Sequence, residues 1–213
     1  MDTNLKNILI EIAENNIKTE DPSHDICHAI RVLKNAEYIS SKEGGDLDVI
    51  VPAALFHDII CYPKNSPNSK HSTKASADFA TVILKELPQF PQSKISKVSI
   101  AIEQCSFSKG IVPELLEAKI LQDADRLEAT GVISIMRTFC SAGLMKSKLY
   151  NDDDPFCKNR EPDSLEYALD LFYSRLLKVK DTMHTGTARN IGERRTRVLQ
   201  EFLENLELEL LGI

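Results

Sequence analysis

Val32, Leu33, Ala36 and Ile39 recur at the three-and-four spacing that places side chains on one face of a helix, and Gly44-Gly45 supplies a stop. That pattern predicts an amphipathic helix over 28–43. A second begins near Asp48 and carries Val51, Ala54 and Leu55 toward His57 and Asp58, with Pro52 placed in its first turn, where a missing N–H costs little. Further apolar periodicity predicts helices at about 73–87, 93–105, 113–128, 132–140, 164–181 and 188–210. Two stretches read as exposed loops: 62–69, rich in Pro, Asn and Ser, and 148–163 with its Asn-Asp-Asp-Asp-Pro run. No stretch alternates with the period of two that a half-buried strand needs, and no internal repeat is visible. The expected fold class is all-α.

Composition narrows the reading further. A chain of 213 residues, 42% of them hydrophobic, can bury one substantial core, so a single domain is expected, with a core at about 22–140 and C-terminal helices at about 163–210. The longest apolar run, 49–56, is too short to cross a bilayer, and the first residues lack a basic segment followed by an apolar stretch. A cytoplasmic protein with no membrane association is the expectation. Five scattered cysteines without a Cys-x-x-Cys pair read as reduced thiols. The net charge of −6 is spread along the chain, which argues against binding duplex nucleic acid. A homodimer is left open.

Against this apolar background four side chains stand out. His28, His57, Asp58 and Asp123 lie beside or within apolar helical stretches far apart in sequence, where neutral residues would be cheaper. Ala53-Ala54-Leu55-Phe56 leads into His57-Asp58, and Ile120-Leu121-Gln122 leads into Asp123. A divalent cation would compensate the buried carboxylates, and imidazole nitrogens would complete its shell. Asp125, two positions past Asp123 and so on another helical face, reads as structural.

The ordered motifs carry a resemblance. Ser-His-Asp-Ile-Cys-His-Ala-Ile-Arg-Val, then Ala-Ala-Leu-Phe-His-Asp-Ile, then Ile-Leu-Gln-Asp-Ala-Asp-Arg-Leu-Glu-Ala-Thr-Gly resemble the HD-domain metal-dependent phosphohydrolases. The likeness is greatest to a small bacterial subgroup that includes a nucleoside triphosphate diphosphatase, and it extends through 171–177 and 183–206. It implies a compact helical bundle and the metal ligands His28, His57, Asp58 and Asp123. One departure follows His57-Asp58: this chain continues Ile59-Ile60-Cys61-Tyr62-Pro63-Lys64, where diphosphatase-type relatives carry an acidic-aromatic-lysine run. That difference bears on substrate choice rather than on the metal.

Two imidazoles and two carboxylates leave positions for water and a phosphate oxygen on a six-coordinate ion, with Mn2+ or Mg2+ expected and Fe, Co, Ni or Zn also compatible. The ion would lower the pKa of bound water and polarise a phosphoryl group. Asp58 can bind with one oxygen and orient water with the other; His24, one turn before His28, can assist the leaving group. Lys64, Lys74 and Arg126 are the cations expected to clamp phosphate oxygens. The expected substrate is a small phosphorylated metabolite, a nucleotide first, cleaved at an ester or an anhydride. The alternatives are a non-catalytic nucleotide- or metal-sensing module and an oxidative enzyme with two metals, for which the extra ligands are scarce. Arg189, Arg194, Arg195 and Arg197, on a helix with Glu193, read as salt-bridged surface.

Overall fold

A computed structural model describes residues 1–17, 24–62, 67–106 and 110–213. Among these residues the chain is all-α; the only extended pairing is an isolated parallel bridge between Lys148 and Tyr167. It divides into two compact units, Met1–Asp125 and Arg126–Ile213.

The first unit contains α1 (Thr3–Asn16), α2 (Ile26–Glu43), α3 (Leu47–Phe56), α4 (Ser72–Glu86), α5 (Ile95–Glu103) and most of α6 (Leu116–Arg126). Helix α3 is its centre, packed by α1, α2, α4 and α5, and every residue from Val49 to Phe56 is buried. That explains the uninterrupted apolar run: a helix enclosed on all sides has no polar face. Pro52 lies inside α3 rather than in its first turn, because the helix starts at Leu47. The lost backbone hydrogen bond is tolerated where packing on every side holds the helix together.

Helix α1 was not anticipated from the sequence, although its signals are present. The Asp2 carboxylate accepts the Asn4 and Leu5 N–H groups, and Leu5, Leu9 and Ala13 form the buried stripe.

The second unit contains α7 (Gly131–Met145), α8 (Asp170–Ser174) and α9 (Gly186–Leu210), with 3-10 turns at Leu127–Ala129 and Leu176–Thr182. Leu169, Phe172, Leu176, Leu199 and Leu203 make its core, and Phe172 stacks on Phe202 with ring centres 5.5 Å apart. The helix expected over 164–181 is instead an irregular stretch, the short α8 and a 3-10 helix. Asp163 accepts the Leu165 and Glu166 N–H groups, which folds a turn where a helix would begin. Asp170, fully buried, receives the Arg160 guanidinium at 2.7 Å and the Asp163 N–H at 2.6 Å, so the preceding loop is fastened to the start of α8. Burial pushes the Asp170 carboxyl up, but hydrogen bonds from Arg160 and Asp163 outweigh it and hold it below the usual range.

Candidate metal centre

Three local devices present the site residues of the first unit. Asp25 caps α2, its carboxylate accepting the His28 N–H at 2.8 Å, which sets His28 in the first helical turn. His57 is the C-terminal cap of α3, so the buried helix delivers the His57-Asp58 pair where its apolar run ends. The turn that follows is tied to α4: Ser76 Oγ accepts the Ile60 N–H and donates to the Ile60 carbonyl, and Ser72 Oγ accepts the Tyr62 N–H. Asn35 of α2 donates to the Ala124 carbonyl, which draws the middle of α6 toward the same place.

The outcome is a compact donor cluster. His28 and His57 are buried, 1% and 2% exposed, and their Nε2 atoms lie 3.2 Å apart. His57 Nδ1 is 2.9 Å from the Ala54 carbonyl, an acceptor only, which holds the proton on Nδ1 and leaves the Nε2 lone pair directed into the cluster. Asp58 Oδ2 stands 3.6 Å from His57 Nε2, 3.8 Å from His28 Nε2 and 3.1 Å from His24 Nδ1. Asp125 Oδ1 stands 3.5 Å and 3.9 Å from the Nε2 atoms of His28 and His57.

Among the described residues, two sets of donors lie close enough to share an ion: His24, His28 and Asp58, and His28, His57 and Asp125. Adjacent donors around an ion with bonds near 2.1 Å are separated by about 3.0 Å in an octahedron and about 3.4 Å in a tetrahedron. The observed spacings begin in that range and run slightly wider. Two imidazoles with the carboxylate oxygens of Asp58 and Asp125 each within 4 Å of their Nε2 atoms suit a cation among them.

When protonated, the same histidines act on Asp58 as a cation would. Burial pushes the Asp58 carboxyl up, yet the charge of His57, the hydrogen bond with His24 and the charges of His24 and His28 together hold it far below the usual range. Asp58 is therefore ionised at neutral pH and ready to act as an anionic ligand.

The other expected site residues have varied positions. Asp123 is fully buried but belongs to neither donor set, whereas Asp125, read from sequence as structural, contributes an oxygen. Residues two apart on a helix point about 200° away from each other, so the spacing showed that only one could face the imidazoles without showing which. Lys64 lies outside the described residues. Lys74 is an exposed residue of α4 that pairs with Asp78 and, at 3.6 Å, with Glu103; the hydrogen bond to Asp78 raises its pKa. In the second unit, the Arg126 guanidinium donates to the Thr182 carbonyl and lies 3.1 Å from His184 Nε2.

Fold and donor set together define the class: this chain belongs to the HD-domain family, whose model matches residues 25–130 and so spans His28, His57, Asp58 and Asp125. The YpgQ protein of Bacillus subtilis (strain 168) is 30% identical over 208 residues, covering 91% of this chain and 88% of that protein. The crystal structure of Bacillus subtilis YpgQ in complex with ADP superposes with a TM-score of 0.72 at 28% identity, covering 96% of this chain and 97% of the other. An HD-superfamily hydrolase from Bacillus thuringiensis gives 0.73 at 29% identity over 97% and 96%. The Lin1889 protein of Listeria innocua gives 0.68 at 33% identity over 100% and 99%. The relatives support a hydrolase, and the donor cluster is able to hold a divalent metal ion.

Proposed function

We propose that this protein is a metal-dependent phosphohydrolase acting on a nucleotide. The observation that carries the reading is the convergence of the His28 and His57 Nε2 atoms with carboxylate oxygens of Asp58 and Asp125. The nucleotide class draws support from the relative crystallised with ADP.

In this reading His28, His57, Asp58 and Asp125 hold the ion. Asp125 takes the fourth position in place of Asp123, because its oxygen lies 3.5 Å from His28 Nε2. Nitrogen and carboxylate donors without thiolate suit Mn2+ or Mg2+, with Fe, Co, Ni and Zn chemically compatible. When bound, such an ion supplies a water of lowered pKa and polarises a phosphoryl oxygen.

The chain's own residues supply the rest. Ala54, through its carbonyl, fixes the His57 tautomer and keeps Nε2 basic. His24 donates its Nδ1 proton to Asp58, which orients the carboxylate beside the two imidazoles. Lys64, six residues past Asp58 in sequence, is the cation assigned to phosphate in this scheme.

The test is hydrolysis of nucleoside mono-, di- and triphosphates with Mn2+ or Mg2+, identifying pyrophosphate or orthophosphate as product. Metal-dependent turnover that falls at least about 1,000-fold in His57→Ala is expected, given the several kcal/mol that a metal contributes to such chemistry. Nucleotide binding without metal-dependent turnover would instead favour a sensing module.

A further inference from the structure

Hydrophobic burial does not choose a roll for helix α6. Every residue from Ile120 to Ala124 is buried, Gln122 and Asp123 among them, so this stretch hides nearly as much surface whichever way it turns about its axis. Burial acts without direction, whereas a hydrogen bond holds donor and acceptor to a line. Directional contacts must therefore decide which carboxylate α6 presents. The choice matters because Asp123 and Asp125 point about 200° apart on the helix, and only one of them can face the imidazoles.

Among the described residues, polar side chains hold α6 at three places in the first unit. In its first turn, Glu117 Oε1 accepts the Asp46 N–H at 3.0 Å. Gln122, fully buried, donates through Nε2 to two carbonyls, that of Gln104 at 2.8 Å and that of Ile111 at 3.2 Å. Gln104 is the C-terminal cap of α5, where helix geometry leaves carbonyls without an intrahelical partner. The third contact is made to the backbone of α6 itself: Asn35 Nδ2 donates to the Ala124 carbonyl at 3.3 Å, between the two aspartates.

Asn35 stands on the same side of α2 as His28, since seven residues make two turns less about 20°. One face of α2 thus carries the imidazole that meets Asp125 and the amide that meets Ala124. The neighbouring stripe of Val32, Leu33, Ala36 and Ile39 is apolar and buried, and a half-buried amide beside it costs desolvation unless it is hydrogen-bonded. A bond to a main-chain carbonyl cannot be released by turning a side chain of α6. It holds the helix as a body.

Granted the four-ligand metal centre proposed above, we infer that Asn35 and Gln122 are positioning residues of that centre, fixing the roll of α6 so that Asp125 rather than Asp123 is presented to His28 and His57. Each amide acts through the helix that carries Asp125. Asn35 ties that helix to α2, and Gln122 ties it to the end of α5 and to the chain at Ile111.

Calorimetric titration of the full chain with Mn2+ tests this through Asn35→Leu and Gln122→Met, each made alone and in an Asp125→Asn background. Both substitutions keep side-chain size while removing the donor, and circular dichroism verifies that each variant is folded. Because the two positions lie on different helices, either one carries the test if the other does not fold. Each single variant is expected to weaken Mn2+ binding about 10-fold, the effect of losing a group that orients a ligand. In the Asp125→Asn background neither should weaken it by more than about two-fold, because the carboxylate they aim is gone and coupled effects do not add. An equal loss in both backgrounds overturns the inference, since it would come from a general loosening of the fold. Wild-type affinity in the folded single variants also overturns it, and leaves the metal centre standing. A wild-type chain that binds no Mn2+ removes the metal centre itself, and the positioning role with it.

Discussion

Asp123 and Asp125 show how much one backbone step decides in this site. Both are carboxylates in an apolar stretch, both follow the same leading residues, and a helix must aim them in opposing directions. Asp125 places an oxygen 3.5 Å from His28 Nε2 and joins a donor set with both imidazoles. Asp125→Asn is therefore expected to weaken Mn2+ binding on the order of 100-fold, more than loss of a group that only supports a ligand. Asp123→Asn should leave that affinity within a few-fold by calorimetry. Loss of binding in Asp123→Asn alone would move the fourth position back to Asp123.

A second residue-scale expectation concerns the thiols. Cys157 is held in a left-handed backbone conformation at φ 50°, and burial, followed by its hydrogen bond to Asp170, pushes its thiol up to about 11. Alkylation at pH 8 should label the exposed Cys140 about 100-fold faster than Cys157, since the thiolate is the reactive form. Comparable rates in a timed mass-spectrometric assay would contradict that environment.

At the scale of elements, two junctions carry more than their lengths suggest. Gly131 opens α7 at φ +69°, and a Cβ there would meet the Arg195 side chain at 3.1 Å. Gly131→Ala should cost roughly 1–3 kcal/mol in urea denaturation, from a strained left-handed residue and displacement of a packed neighbour. A change below about 0.5 kcal/mol, the scatter of neutral surface substitutions, would refute the close approach. Arg195 itself departs from the salt-bridged surface expected of its basic cluster, because its guanidinium donates to the Leu127 carbonyl and burial lowers its pKa.

The other junction is the Arg160–Asp170 pair that fastens the loop before α8. Asp170 has a folded pKa below its ordinary value, so its contribution is complete above about pH 4 and is lost as pH falls through the folded value. Asp170→Asn should cost about 3–5 kcal/mol at pH 7, as breaking a buried pair does, and less at pH 3. An equal loss at both pH values would show that charge is not what the pair supplies.

For the molecule as a whole, ligand binding and stability are linked. If His28, His57, Asp58 and Asp125 bind an ion only when folded, Mn2+ at 100 times its dissociation constant adds about 2.7 kcal/mol, visible as a raised melting temperature. The His57→Ala variant should lose that rise while keeping the fold. A metal-induced rise that survives in His57→Ala would mean that the ion binds elsewhere.

Much of this protein was legible in its sequence. Periodicity located most of α2, α4 and α9, the buried run 49–56 located α3, and motif order indicated both the HD-domain family and two histidines with Asp58 as neighbours. These features are local, or they belong to an order of residues that any chain of this family carries. Helix α1 was equally local, with its cap and stripe in plain sequence, and was missed only because no motif drew attention to it.

What the tertiary structure alone decided depends on rotation and distant partners. Which carboxylate of 123–125 faces the imidazoles turns on how α6 is rolled against α2, which helical spacing does not record. The break of 164–181 into α8 and a 3-10 helix is set by Arg160 reaching Asp170 and by the turn at Asp163, interactions that outweigh the helical propensity of the segment. The exposure of Val132, Met136 and Leu144 is likewise invisible in a hydrophobic pattern, because a pattern shows only that α7 is rich in apolar residues, and packing shows that Ile135 and Phe139 are the ones that meet the core.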